Sequence, residues 1–212
     1  MLIITGHYGS GKTNIAVNIA LNYKKSAPHK KVYLVDLDIV NPYFRTSDNT
    51  DMLAENGICV IAPNFANTNL DSPSLPAEIN KIFTDRDSYT VIDAGGDDAG
   101  AVVLGRYADK FDDSAEMLYV INQRRFMTRT PEEAAELLRG IERVSKLKAR
   151  GIINNTNLSY ETDADCVLRS VPFAEEVSRL TGVPLLYTAV RRELADEISA
   201  KCSILPIDLL FL

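Results

Sequence analysis

Cysteine is scarce, with three in 212 residues: Cys59, Cys166 and Cys202. None forms a Cys-x-x-Cys or Cys-x-Cys pair, which argues against a disulfide framework or an in-chain zinc site and fits a reducing, cytoplasmic setting. Positive charge is also short. Lys and Arg number 23 against 29 Asp and Glu, a formal net charge of -6. That balance argues against a broad footprint for nucleic acid or for an anionic membrane surface. No apolar run is long enough to span a bilayer, and no basic stretch followed by an apolar one marks a leader, so Met1 is expected to run straight into the first strand. Low-complexity tracts, internal repeats and long linkers are missing too. The remainder, 46% hydrophobic and 25% charged, is ordinary globular composition. At this length one domain over 1–212 with a sizeable core is expected.

The most informative stretch is Gly6-His7-Tyr8-Gly9-Ser10-Gly11-Lys12-Thr13, followed by Asn14. The apolar run Leu2-Ile3-Ile4-Thr5 precedes it, and the apolar-periodic residues Ile15, Ala16, Val17, Ile19 and Ala20 follow. Strand, glycine-rich turn and helix with the spacing Gly-x-x-x-x-Gly-Lys-Thr read as a phosphate-binding loop. Gly6, Gly9 and Gly11 would let the backbone curl so that successive N–H groups face an anion. The helix opening near Lys12 adds the positive end of its dipole. Lys12 is predicted to reach the β- and γ-phosphates of a nucleotide, and the Thr13 hydroxyl to ligate Mg2+.

Further along, 31–36 reads as a strand buried on both faces. Asp36 and Asp38 at its end are two apart, so they project to one side, where an open α/β sheet has its ligand crevice. Asp38 serves there or caps the following turn. A short helix is expected at 48–56 and a strand at 58–62. The loop 63–76, rich in Asn, Ser and Pro, is a lid, a partner surface or a plain excursion. A helix near 75–83 leads to a second aspartate-ending strand, 88–93, followed by Ala94-Gly95-Gly96. This is the form of a Walker B strand: Asp93 would hold Mg2+ through water, while Gly95 and Gly96 let backbone approach the γ-phosphate. A strand at 117–122 precedes Arg124 and Arg125, which read as a solvated basic loop or as phosphate or partner contacts. Thr130-Pro131-Glu132-Glu133 has the form of a capping box opening a helix to about 147. A strand at 149–154 ends in Asn154-Asn155. A helix at 163–180, a strand at 184–188 and a helix at 191–199 follow, and the apolar tail 204–212 packs on the core as a last strand or turn. Strands alternating with helices predict an α/β fold of three layers, a mostly parallel sheet with helices on both faces.

In order and spacing, GHYGSGKT, VDLDIVNP and VIDAGG resemble the MinD/ParA-like branch of the P-loop NTPases, the CobQ/CobB/MinD/ParA-type nucleotide-binding domain, over most of the chain. The resemblance implies ATP and Mg2+ as ligands. It also implies ATP hydrolysis that is slow alone and that switches a protein partner or a homodimer. It makes Lys12, Asp38 and Asp93 catalytic, with Asp38 positioning the attacking water. Thr13, Asp36, Asp38 and Asp93 would surround the metal. The loop from Gly6 to Asn14 and Asn154 or Asn155 would bind the nucleotide, one of the asparagines reading adenine, and the segment after Pro184 would close over the base. The family's signature lysine after the first glycine is replaced by His7, which removes the usual donor across an ATP-sandwich dimer. Paired cysteines for metal delivery are missing, as is an Asn-Lys-x-Asp run that reads guanine. No activating arginine is assigned; Arg45 and Arg125 are candidates. Two other functions fit the same motifs. One is a small-molecule kinase or ligase with its acceptor pocket at 38–45 and 63–76. The other is a binding module without useful turnover.

Overall fold

The computed structural model describes residues 1–37, 47–62, 78–96 and 98–210. Asp38, Arg45 and the loop 63–76 lie outside the described residues. In chain order the elements are β1 (Leu2–Gly6), α1 (Lys12–Ser26), β2 (Lys31–Asp36), α2 (Ser47–Glu55), β3 (Ile58–Ile61), α3 (Ile79–Thr84), β4 (Ser88–Gly95), α4 (Asp98–Arg106), β5 (Glu116–Ile121), α5 (Pro131–Ser145), β6 (Ala149–Asn154), α6 (Ala164–Thr181), β7 (Leu185–Arg191), α7 (Ala195–Ile198) and β8 (Ile204–Ile207).

The strands form one eight-stranded sheet in the order β3-β2-β4-β1-β5-β6-β7-β8. Every neighbouring pair is parallel. Successive side chains on a strand face opposite ways, and the core divides accordingly. Ile3, Val35, Ile92, Tyr119 and Ile121 pack with Leu104, Leu138 and Phe173 from α4, α5 and α6. Ile4, Leu34, Val91, Leu118 and Val120 pack with Ile15, Ala16 and Leu53 from α1 and α2. Hydrophobic runs without alternation are thus the signature of strands covered on both faces.

Two elements depart from the sequence reading. Helix α4 was not anticipated: Gly100 and Gly105 lower its helix propensity, and its packing against α4's neighbour α5 supplies what propensity does not. The expected helix at 191–199 is broken into shorter pieces. Strand β7 continues to Arg191, a 3-10 turn covers Arg192–Leu194, and α7 is a single turn. Pairing of Thr188 through Arg191 with Ile204 through Ile207 of β8 holds the strand extended. The tail does contribute a last strand.

Helix α5 opens as its sequence dictates. Thr130 Oγ1 accepts from the Glu133 N–H at 3.3 Å, and Glu133 Oε2 accepts from the Thr130 N–H at 3.1 Å. Thr130→Ala is therefore expected to lower stability by about 1 kcal/mol. Urea denaturation should show a lower midpoint with an unchanged slope.

Candidate functional site

The loop between β1 and α1 is built around backbone groups. Gly11, at the N-cap of α1, adopts φ 85°, a left-handed conformation that glycine reaches without strain. A Cβ at this position would also run into the side-chain amide of Asn155. No side chain caps α1, and its first turn carries no acidic residue. A helix start without a capping side chain is where the positive end of the helix dipole can meet an anion. Ser10 donates its N–H to the His7 carbonyl at 3.0 Å, closing the curl. Tyr8 is exposed at the tip, His7 is half-buried, and Ser10 and Lys12 are buried within the loop.

Register brings the acids to this loop. Strand β4 lies between β1 and β2, with Ile4 opposite Asp93 and Asp93 opposite Asp36. Both carboxylates are buried, at 1% and 0% exposure for Asp36 and Asp93. Thr13 Oγ1 donates to Asp93 Oδ2 at 2.5 Å. A hydroxyl of the phosphate loop and the acid of the neighbouring strand thus meet directly. Hydroxyl and carboxylate oxygens are the hard donors that suit Mg2+. Among the described residues no group of three or more His, Cys, Asp and Glu forms a metal cage. That donor set fits Mg2+ in its usual style, bound by one or two carboxylates together with substrate phosphates. Gly96 follows, and a Cβ there would strike the Gly6 carbonyl. Glycine lets the segment after Asp93 lie on the root of the loop.

The two asparagines ending β6 differ. Asn154 is fully committed to structure: Nδ2 donates to Ser170 Oγ of α6 at 2.8 Å, and Oδ1 accepts from the Thr156 N–H at 3.2 Å. Asn155 meets the phosphate loop, its Nδ2 donating to the Ser10 carbonyl at 2.7 Å. Its buried Oδ1 finds no hydrogen-bond partner among the described residues. Of the pair, Asn155 is the one the fold brings to the site.

Asn14, expected with the nucleotide ligands, turns its side chain elsewhere. Its Nδ2 donates to the Asp208 carbonyl at 3.0 Å, and its Oδ1 accepts from the Leu210 N–H at 3.1 Å. One turn on, Asn18 repeats the pattern, donating to the Asp208 carbonyl at 2.9 Å and accepting from the Asp208 N–H at 2.8 Å. Arg192 forks onto the Asp208 carboxylate at 2.9 and 3.0 Å, and that pairing holds the carboxyl below its usual range. The C-terminal segment is therefore clamped along the phosphate-loop helix. The sequence carried a signal in the i, i+4 asparagines of α1, polar residues on an otherwise apolar face. Arg125 also stands closer to the site than a solvated loop would place it, with Nε donating to the Gly9 carbonyl at 2.7 Å.

No family model matches the chain, and no curated protein matches it in sequence. Solved structures do match in shape. The signal recognition particle receptor FtsY from Elizabethkingia anophelis aligns with a TM-score of 0.52 at 17% identity, over 88% of this chain and 57% of that one. The fold is that of a P-loop NTPase. The signal recognition particle 54 kDa protein from Aeropyrum pernix K1, in complex with GDP, aligns at 0.52 and 20% identity, over 88% of this chain and 40% of that one. FlhF complexed with GMPPNP and Mg2+ aligns at 0.50 and 14% identity, over 87% and 63%. The chain spans less than two thirds of the length of each. At these identities the likeness is one of fold. No helix of the described residues is long and apolar enough to cross a membrane.

The tail clamp yields a direct test. Asn18 is buried at 2% exposure, and Asn18→Ala leaves the Asp208 N–H without its acceptor. The variant is expected to lose about 2 kcal/mol of stability, the range for an unsatisfied buried donor. Chemical denaturation measures the loss, and limited proteolysis should cut the tail of the variant first. An unchanged midpoint with an uncut tail would show that the clamp bears no load.

Proposed function

We propose that this chain is a Mg2+-dependent P-loop ATPase that works as a nucleotide-controlled switch for a protein partner or a second copy of itself. The observation that carries the reading is the Thr13 to Asp93 hydrogen bond at 2.5 Å, set at the mouth of an uncapped helix that begins with buried Lys12. Phosphoryl transfer asks for positioning and charge stabilisation more than for covalent work. In this reading the amides from Gly9 to Thr13 and the Lys12 ammonium hold the β- and γ-phosphates. Thr13, Asp93 and Asp36 hold the metal, and Asp38 orients the attacking water. Bound Mg2+ would supply neutralising charge at the phosphate oxygens. Gly96, resting on Gly6, carries the presence or loss of the γ-phosphate into α4. The motif order of the MinD/ParA-like branch supports the switch role, and His7 in place of the signature lysine assigns the charge across any interface to another group.

The base is adenine in this reading, since the end of β6 carries Asn154-Asn155-Thr156-Asn157 and no Asn-Lys-x-Asp. A guanine reading has its own support: the structures of similar fold include one with GDP and one with GMPPNP and Mg2+.

Calorimetry with Mg-ATP and Mg-GTP, side by side, tests both. ATP is expected to bind at least about tenfold tighter than GTP, a difference near 1.4 kcal/mol. Lys12→Ala should abolish the heat, and Asp93→Asn should remove the dependence on Mg2+. Sedimentation of the wild type should change between ATP and ADP, alone or with its partner. Tighter GTP binding would transfer the reading to guanine, and no heat with either nucleotide would overturn it.

A further inference from the structure

Hydrolysis on this scaffold needs positive charge where the γ-phosphate gathers negative charge, and Lys12 alone is a point charge at one side. Among the described residues, Arg125 is the arginine that reaches the loop. Others nearby are turned away: Arg124 lies against Cys166 Sγ at 3.9 Å, and Arg129 covers the Phe126 ring at 5.2 Å.

Arg125 is held there by design of the local backbone. Strand β5 pairs with β1 so that Val120 lies opposite Gly6, which places the end of β5 beside the root of the phosphate loop. The chain then folds into a tight turn. Asn122 accepts at its carbonyl from the Arg125 N–H at 3.1 Å and from Thr128 Oγ1 at 2.7 Å. Its Oδ1 accepts from the Arg124 N–H at 2.9 Å, and the Arg125 carbonyl accepts from the Thr128 N–H at 3.1 Å. The guanidinium rests on Gly9, where a Cβ would touch Nε at 3.3 Å and Cζ at 3.6 Å. Nε donates to the Gly9 carbonyl. A guanidinium has five N–H donors. The four on Nη1 and Nη2 find no partner among the described residues, and they stand next to the loop whose amides face the phosphates.

We propose that Arg125 is a catalytic residue supplied in cis. With a triphosphate bound, its Nη donors take the γ-phosphate oxygens while Nε stays on Gly9. This rests on the P-loop NTPase reading above. In the step it assists, the water oxygen bonds to the γ-phosphorus and the bond from that phosphorus to the β,γ-bridging oxygen breaks. The electron pair leaves on the nucleoside diphosphate, and the water's proton passes to solvent. Charge spreads over the equatorial oxygens during this transfer, and a planar cation with paired donors matches them better than an ammonium does. Held by its turn, the group needs no reorganisation at the moment of reaction.

The test compares wild type with Arg125→Ala and Arg125→Lys. Single-turnover hydrolysis of Mg-ATP and of Mg-GTP is measured together with calorimetric affinity for the diphosphate, alone and with aluminium fluoride. Removal of the guanidinium is expected to slow turnover by about a hundredfold or more. Diphosphate affinity should stay within about threefold, since the contact belongs to the transition state. The tightening that aluminium fluoride gives the wild type should vanish in both variants. Unchanged turnover in a folded Arg125→Ala protein overturns the proposal. So does an equal loss of turnover and diphosphate affinity, which would make Arg125 a brace for the loop. A wild type that binds neither triphosphate overturns the nucleotide reading itself and this proposal with it. A wild type that binds but turns over independently of Arg125 overturns this proposal alone.

Discussion

The contact between Thr13 and Asp93 depends on one constraint: β1 and β4 lie side by side, parallel and in register. A parallel sheet opens the carboxyl ends of all its strands on one edge. The loop that follows β1 and the acid that ends the apolar part of β4 therefore share that edge. The same register sets Asp36 against Asp93, and β6 delivers Asn155 to the Ser10 carbonyl. Lys12, Asp36 and Asp93 are all buried. Burying ionised groups is costly unless they meet partners of opposite charge or hydrogen bonds. The fold nevertheless gathers all three at the carboxyl edge of the sheet, which is the observation behind the proposed site.

Much of this was legible because local and global signals agreed. Runs such as Val32 to Val35 and Val91 to Ile92 lack polar alternation, and each proved to be a strand buried on both faces. The capping box at Thr130 was readable because its chemistry involves residues three apart in the chain. The turn between β1 and α1 was readable for the same reason: its glycines, lysine and threonine lie within eight consecutive residues. Pairing the loop with Asp93 needed only the expectation of a parallel sheet, and the structure makes that pairing a hydrogen bond.

What was hidden depends on residues distant in sequence. Asn14 and Asn18 meet Asp208 across about 190 positions, and their i, i+4 spacing on an apolar face marks them as a pair without naming the partner. Their place just after the phosphate loop drew Asn14 toward a nucleotide role. Arg125 stood among the candidates, but its contact with Gly9 lies 116 positions away, so the chain around it could not separate a phosphate neighbour from a solvated arginine. The extension of β7 to Arg191 came from pairing with β8, a tertiary effect invisible in the local sequence, while Arg192–Leu194 and Ala195–Ile198 keep short helical turns. Helix α4 was missed for the opposite reason. Its glycines suppressed the local signal, although Ala101, Val103 and Leu104 are deep in the core.

These contacts also determine where the structure can respond to a ligand. Helix α1 is fixed on its sheet side by Ile15, Ala16 and Val17, each fully buried, and on another side by the asparagine clamp on the tail. Interfaces packed at this density do not deform gradually. The start of α1, and with it the first-turn N–H groups, is thus a stationary reference. The end of β4 meets the same loop in another way. There Gly95 pairs with Gly6 in register, and Gly96 lies against the Gly6 carbonyl, both contacts of backbone. In the proposed reading a γ-phosphate lies against this backbone, and α4 packed on α5 is the element next in line.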